Sequence, residues 1–447
     1  MIDGLRPYAE MKPTGLPWLG DVPAHWDVRR NGRLFAARRQ TGFPNLPILE
    51  VSIRSGVRVR DFDNGGRKQE IADRSKYQRA VKGDIAYNMM RMWQGAVGIA
   101  PVDGLVSPAY VVARPFDETD AAYYAYLFRT ANYMREIDVF SRGIVPDRNR
   151  LYWESFKQMP SAYPPLEEQR LIVRFLDWHG GQVARLVRAK KALIGLLNEQ
   201  KQAIIHRAVT RGLDANAKLK PSGIPWLGDV PEGWEVGKLK RLGRLRSGEG
   251  ITAFQIEESG PFPVYGGNGH RGYAARHTHN GDFILIGRQG ALCGNIHLAT
   301  GKFFASEHAI VVHPRTKYDV RWLAEVLRVM NLNQFSIAAA QPGLSVERIE
   351  ILGLPVPPVE VQTAIMRSID EETIELNAAI NLANREIALI QEFRTRMIAD
   401  VVTGKLDVRV LAAGLPDTTV QEATPDQSDD EDLDDLPDDF DSEEAAA

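Results

Sequence analysis

The sequence predicts an α+β protein built from two copies of one plan, each an α+β globule followed by a long helix. Three observations predict it. Residues 12–28, KPTGLPWLGDVPAHWDV, return as residues 220–236, KPSGIPWLGDVPEGWEV, with twelve of seventeen positions identical. The motif Pro164-Pro165-Leu166-Glu167-Glu168-Gln169 returns as Pro357-Pro358-Val359-Glu360-Val361-Gln362. Behind each Pro-Pro runs a long charged stretch whose apolar side chains recur at alternating spacings of four and three, the seam of a coiled coil.

The elements follow in order. In the first globule, residues 1–164, the segments 48–53, 84–87 and 110–112 are short, β-branched and bounded by Gly, Asp or Pro, which predicts strands. One amphipathic helix is expected over 121–138. The first long helix belongs to residues 165–217, with Val183, Val187, Ile194, Leu197 and Ile204 on its pairing seam. Lys190 and Lys201 interrupt that seam. Gly180-Gly181 predicts a fray or kink, since each Gly costs roughly 1 kcal/mol against Ala in a helix. The second globule, residues 218–357, repeats the pattern with strands over 283–286 and 309–312 and a helix over 320–332. Lys82-Gly83-Asp84-Ile85 lies over Asn280-Gly281-Asp282-Phe283, and Ser107 over Ser306. The second long helix occupies 358–407, with Leu376, Ile380, Ile387, Ile390 and Met397 on the matching seam. The first helix is net positive and the second net negative, which favours their pairing. An antiparallel coiled coil is expected, with a globule at each end, an internal pseudo-twofold axis and a span of roughly 60 Å at about 1.5 Å per residue.

Composition narrows the function. No stretch approaches the ~18 consecutive apolar residues of a membrane helix, and the N-terminus lacks a secretory pattern. Cys293 is the only cysteine, so an internal disulfide and a Cys-rich zinc site are excluded. A cytoplasmic protein is expected. After Pro416 come fourteen acidic residues and no basic one. The preceding chain holds all 55 basic residues against 44 acidic ones, an excess of 11. A positive body suits an anionic partner such as nucleic acid. The tail, residues 416–447, reads as disordered and like-charged.

Catalytic motifs are weak. Gly267-x-Gly269-x-x-Gly272 has the dinucleotide spacing but no helix after it, so a tight polar loop is expected. Six histidines crowd residues 270–313 without a metal-binding frame, and no metal is expected. Ser107 and Ser306 lack a nucleophile elbow. The positive signal lies in loops rich in Arg, Gln, Asn and aromatics. In the first globule these are Arg54, Arg58, Arg67, Lys68, Arg74, Lys76, Arg91, Trp93, Gln94 and, within a run from Arg142 to Arg150, Arg148. In the second they are Tyr265, Asn268, His270, Arg271, Arg288, Gln289 and Gln341. Arg pairs bidentately with guanine and Gln or Asn with adenine, while Lys and Arg neutralise phosphates.

These motifs, in this order and twice over, resemble the specificity subunit of a type I restriction–modification system. The resemblance spans residues 12–407. Its further marks are KGDIAYNMMRMWQGAVG and the YGGNGHRGY and GDFILIGRQGALCGN stretches. It implies two target recognition domains that read the halves of an interrupted double-stranded DNA target, and paired helices that set the gap. It also implies two modification (methyltransferase) subunits, which bind S-adenosylmethionine, and restriction subunits with ATP-dependent translocase and nuclease activity. No cofactor and no catalysis are expected in this chain itself. A stand-alone bipartite DNA-binding regulator and a coiled-coil interaction scaffold are the alternatives.

Overall fold

The computed structural model describes residues 5–60, 74–143, 149–290, 292–336 and 343–416. The acidic tail beyond Pro416 lies outside the described residues. The chain forms two compact units. One comprises Met1–Lys190 with Arg385–Ala447, the other Lys191–Asn384. The division therefore falls inside both long helices rather than at their ends.

The first unit is built on a four-stranded antiparallel sheet of β1 (Phe35–Ala37), β2 (Ile85–Asn88), β3 (Val97–Ile99) and β4 (Tyr110–Pro115), in the order β1-β4-β2-β3. Its registers place Ala37 opposite Ala113 and Ile85 opposite Ala113 on the other side. Behind it pack α1 (Ala121–Phe128) and α2 (Ala131–Phe140). Phe35, Tyr87, Tyr124, Phe128, Tyr133 and Phe156 fill the core between them. The single helix expected over 121–138 is thus two. Arg129 closes the first and Thr130 caps the second, its hydroxyl accepting from Tyr133 N. Such a cap satisfies an otherwise unpaired N–H, so it favours a new helix start over continuation. The first unit also contains the start of α3 (Leu166–Arg211).

The second unit carries the same sheet as β5 (Gly243–Ser247), β9 (Phe283–Gly287), β10 (Ile296–Ala299) and β12 (Ala309–Pro314), in the order β5-β12-β9-β10. A second sheet is added by β6 (Phe262–Gly266), β7 (Gly269–Ala274), β8 (His279–Asn280) and β11 (Lys302–Ala305). The Gly267–Gly272 spacing lies here, where β6 and β7 form an antiparallel hairpin with Gly266 opposite Gly269. Next comes α4 (Val320–Met330), whose Trp322, Leu323, Val326 and Leu327 are buried. The last long element is α5 (Val359–Val402).

Within each unit α3 and α5 pack antiparallel, because partner numbers on one fall as those on the other rise. In the first unit His179 meets Phe393 and Lys190 Nζ donates to Glu386 at 2.5 Å. In the second, Lys201 Nζ donates to Asn377 Oδ1 at 2.8 Å and Arg207 to Glu372 at 3.1 Å. The seam lysines thus bury their stems and pair their heads. Val183 and Met397 are buried, and Val187, Ile194, Leu197, Ile204, Leu376, Ile380, Ile387 and Ile390 half-buried. The fray expected at Gly180-Gly181 is absent, since α3 is unbroken from Leu166 to Arg211. Buried Phe175, Leu176, His179 and Val183 anchor the helix on both sides of the pair, and tertiary packing overrides intrinsic propensity.

The twice-written Pro-Pro motif has a structural job. Gln169 is fully buried; its Oε1 accepts from Asp120 N at 2.8 Å and its Nε2 donates to Pro164 O at 2.8 Å. Gln362 makes the same pair of bonds to Asp319 N and Pro357 O, at 2.9 and 2.8 Å. Asp120 and Asp319 in turn cap α1 and α4. Each Gln therefore clasps the start of a long helix to the capping residue of the globule's own helix. In the first unit alone, buried Glu168 also accepts from Tyr8 Oη at 2.6 Å, His25 Nε2 at 2.7 Å and Trp26 Nε1 at 3.0 Å. The corresponding residue of the second half is Val361.

Candidate nucleic-acid interface

In the second unit three loops converge at one end of the β5-β12-β9-β10 sheet. The tip of the β6–β7 hairpin needs glycine. Gly269 has φ +88°, and a Cβ on Gly267 would lie 3.2 Å from the carbonyl oxygens of both Gln289 and His308. The hairpin backbone can therefore lie flat on the other two loops. Arg288 N donates to His308 O at 2.9 Å, locking those loops to each other. Between them lies a concavity of about 320 Å³ lined by Gly267, Asn268, His270, Arg271, Gln289 and His308. The side chains here are polar and capable of both donating and accepting. His308 Nδ1 stands 3.1 Å from Gln289 Oε1 and holds the amide in place. Arg288 reaches Ser247 Oγ at 3.2 Å. Tyr265 turns its ring edge-on to Phe303 and is half-buried beside the hollow.

Of the second-half candidates, Asn268, His270, Arg271 and Gln289 are thus brought together, with Tyr265 and Arg288 alongside. Gln341 lies outside the described residues. His308 is a residue that the sequence reading missed. Ser306 lies over Ser107, which puts His308 opposite Ala109. A polar residue replacing a small apolar one in matching loops is the signal that could have found it.

The first unit gathers its candidates less completely. Arg91, Trp93 and Gln94 lie on the β2–β3 loop, where a 3₁₀ turn over Met92–Gln94 closes at Gly95, φ +94°. Arg54 lies in the turn between the strands Leu49–Ser52 and Gly56–Val59. Arg129 ties that turn down by donating to the carbonyls of Ile53 and Arg54, both at 2.5 Å. Gln94 and Arg54 are exposed. Trp93 spends its Nε1–H on Met90 O at 2.9 Å and packs against the core. Arg58 is paired with Glu50. Arg74 and Lys76 are exposed on a separate 3₁₀ turn. Arg67, Lys68 and Arg148 lie outside the described residues.

Electrostatics separates two classes of histidine in the second unit. Burial holds the imidazoles of His279, His297 and His313 below their ordinary pKa. His279 stacks on Phe303 with ring centroids 5.2 Å apart. These three are packing pieces that stay neutral, whereas His270 is exposed and His308 half-buried at the hollow. Among the described residues no three His, Cys, Asp or Glu side chains are grouped to hold a metal ion. No described helix is long and apolar enough to cross a membrane.

Comparison with known proteins places this geometry. The model of the type I restriction modification DNA specificity domain matches residues 231–383. The chain is 44% identical over 142 residues to the type I restriction enzyme EcoprrI specificity subunit of Escherichia coli, an alignment covering 30% of this chain and 35% of that one. The chain thus matches about a third of that relative's length. It is 22% identical over 429 residues to the putative type I restriction enzyme MjaX specificity subunit of Methanocaldococcus jannaschii, covering 88% and 96% of the two chains. A chain from a structure of the type I R-M system, solved for its complex assembly and conformational transition, shares the fold. Its TM-score is 0.61 at 15% identity, over 85% of this chain and 98% of that chain. With its twice-written plan, its paired helices and these likenesses, the chain is similar to the specificity subunits of type I restriction–modification systems.

Proposed function

We propose that this chain is the non-catalytic DNA-reading subunit of a type I restriction–modification complex, with residues 1–164 and 218–357 each reading one half of a two-part duplex target. The carrying observation is the hollow of the second unit, where Asn268, Arg271, Gln289 and His308 converge on a backbone locked by glycines. Side-chain amides and guanidinium groups held this way match the hydrogen-bonding edges of base pairs in the major groove. The paired helices, within residues 165–217 and 358–407, set the gap between the halves and dock the modification subunits. Support for docking comes from exposed apolar side chains outside the seam. Leu186, Leu193 and Leu196 on α3 and Leu382 and Leu389 on α5 are 47–63% exposed, and apolar side chains that adjoin in a contiguous patch mark an interaction site. S-adenosylmethionine is bound by those modification subunits, and restriction subunits join the same core. In this reading the protein works in the cytoplasm, where the DNA is.

Co-expression with a candidate modification subunit, followed by single-molecule sequencing of host DNA for N6-methyladenine, tests the proposal. A methylated motif of two defined halves around an unspecified gap, absent without this chain, is the expected result. A stable complex that adds no methylation would reject it.

A further inference from the structure

The first unit has a cleft of its own. It has a volume of about 450 Å³ and opens beside the C-terminal end of β1 and the start of β4. Arg39, Gln78, Met89, Arg142, Tyr152 and Trp153 stand in its wall. Its place in the fold is informative. Met89 follows β2, as Arg288 follows β9, so each unit has a hollow at the same end of the corresponding sheet.

The chemistry of the wall is selective. Neighbouring Arg38 is committed to Asp84, at 2.5 and 3.1 Å, and Glu154 is paired with Lys157. Arg39 and Arg142 are exposed, and neither side chain has an ion pair or hydrogen bond to any described residue. The backbone of Arg142 is fixed by a two-way bridge with Arg150, at 3.0 and 2.9 Å. Gln78 donates its amide N–H to Tyr110 O at 3.2 Å, which leaves its Oε1 to accept. Tyr152 is 44% exposed and forms a flat wall. Two arginines without a described side-chain partner and one glutamine with a spare acceptor thus line the same space. Guanine shows two acceptors, O6 and N7, in the major groove and its cytosine partner shows one N4 donor. Adenine pairs its N7 acceptor with a donor, which a guanidinium repels.

We infer that this cleft reads a G·C pair in the half-site taken by the first unit, with Arg39 and Arg142 on guanine and Gln78 on cytosine. The inference rests on the DNA-reading function proposed above and names the base that one hollow selects.

In vitro selection from a randomised duplex library tests it, using the full chain as wild type, as the Arg39→Ala/Arg142→Ala double variant and as Gln289→Ala. The wild-type motif is expected to hold guanine in one half. The double variant keeps the other half and loses roughly tenfold or more of its preference for that guanine, with binding to a random duplex changing far less. Gln289→Ala blurs the opposite half. Arg39→Lys/Arg142→Lys keeps the charge but not the planar fork, so it does not restore the guanine preference. An unchanged motif in the double variant overturns the inference. So does an equal loss on selected and random duplexes, which would make the pair a phosphate clamp. Failure of the wild-type chain to bind any duplex in a salt-dependent way would instead reject the DNA-reading function, and this inference with it.

Discussion

Gln169 and Gln362 show how much a single buried side chain decides. Replacing Gln169 by Leu leaves the N–H of Asp120 and the carbonyl of Pro164 without their buried partners. An unmade hydrogen bond of that kind costs about 1–3 kcal/mol. Gln169→Leu and Gln362→Leu are each expected to lower stability by that amount in a chemical-denaturation titration, whereas substitutions at exposed Gln200 change it little. The motif was legible in the sequence as a repeated string, but its purpose was not. Only the fold brings Gln169 onto Asp120, some fifty residues earlier. The DNA candidates divide in the same way. Residue type named the donors and acceptors, yet it could not say that Glu50 takes Arg58 or that Trp93 turns its N–H inward. Arg288→Ala/Gln289→Ala is expected to relax base choice in one half-site and Arg91→Ala/Gln94→Ala in the other. Equal loss on random DNA, measured by fluorescence anisotropy, would reject base reading at these positions.

At the scale of elements, periodicity located the long helices and their common seam, because a helical stripe must repeat to stay buried. Local propensity misjudged two places. Gly180-Gly181 was expected to disturb α3, yet the packed turns on either side carry it through. A Cβ on Gly181 would meet nothing within 4 Å. Gly181→Ala is therefore expected to stabilise the protein by roughly 0.5–1 kcal/mol, chiefly by restricting the unfolded chain. A fall in the thermal midpoint would show that the site needs glycine. The division between α1 and α2 was missed for the converse reason. An apolar rhythm persists across Thr130, and only its capping geometry reveals the break.

Three half-buried histidines of the second unit make the molecule's stability depend on pH. His279, His297 and His313 are held below their ordinary pKa of about 6.5 by burial. The unfolded chain takes up protons on these residues before the folded one does. Their contribution is therefore fully present above pH about 6.5 and is lost as pH falls through the lowered folded values. Melting curves from pH 7.5 down to about 5 are expected to show the second unit weakening, with a flatter profile in His313→Gln. Charge governs the partner as well. With its basic excess ahead of Pro416, the chain's affinity for DNA is expected to fall steeply and linearly in log–log form with added salt. A flat response would favour the coiled-coil scaffold instead.

The first unit is assembled from two separate stretches, since the described residues from 385 to 416 return to those up to 190, while the second unit is one continuous stretch. A ribosome therefore completes the second unit first and leaves the first waiting for Met397, Val401 and Val402, which enter its core. A stop codon near residue 390 would then disable the half of the protein that was synthesised earliest, and leave the half nearest the lesion able to fold.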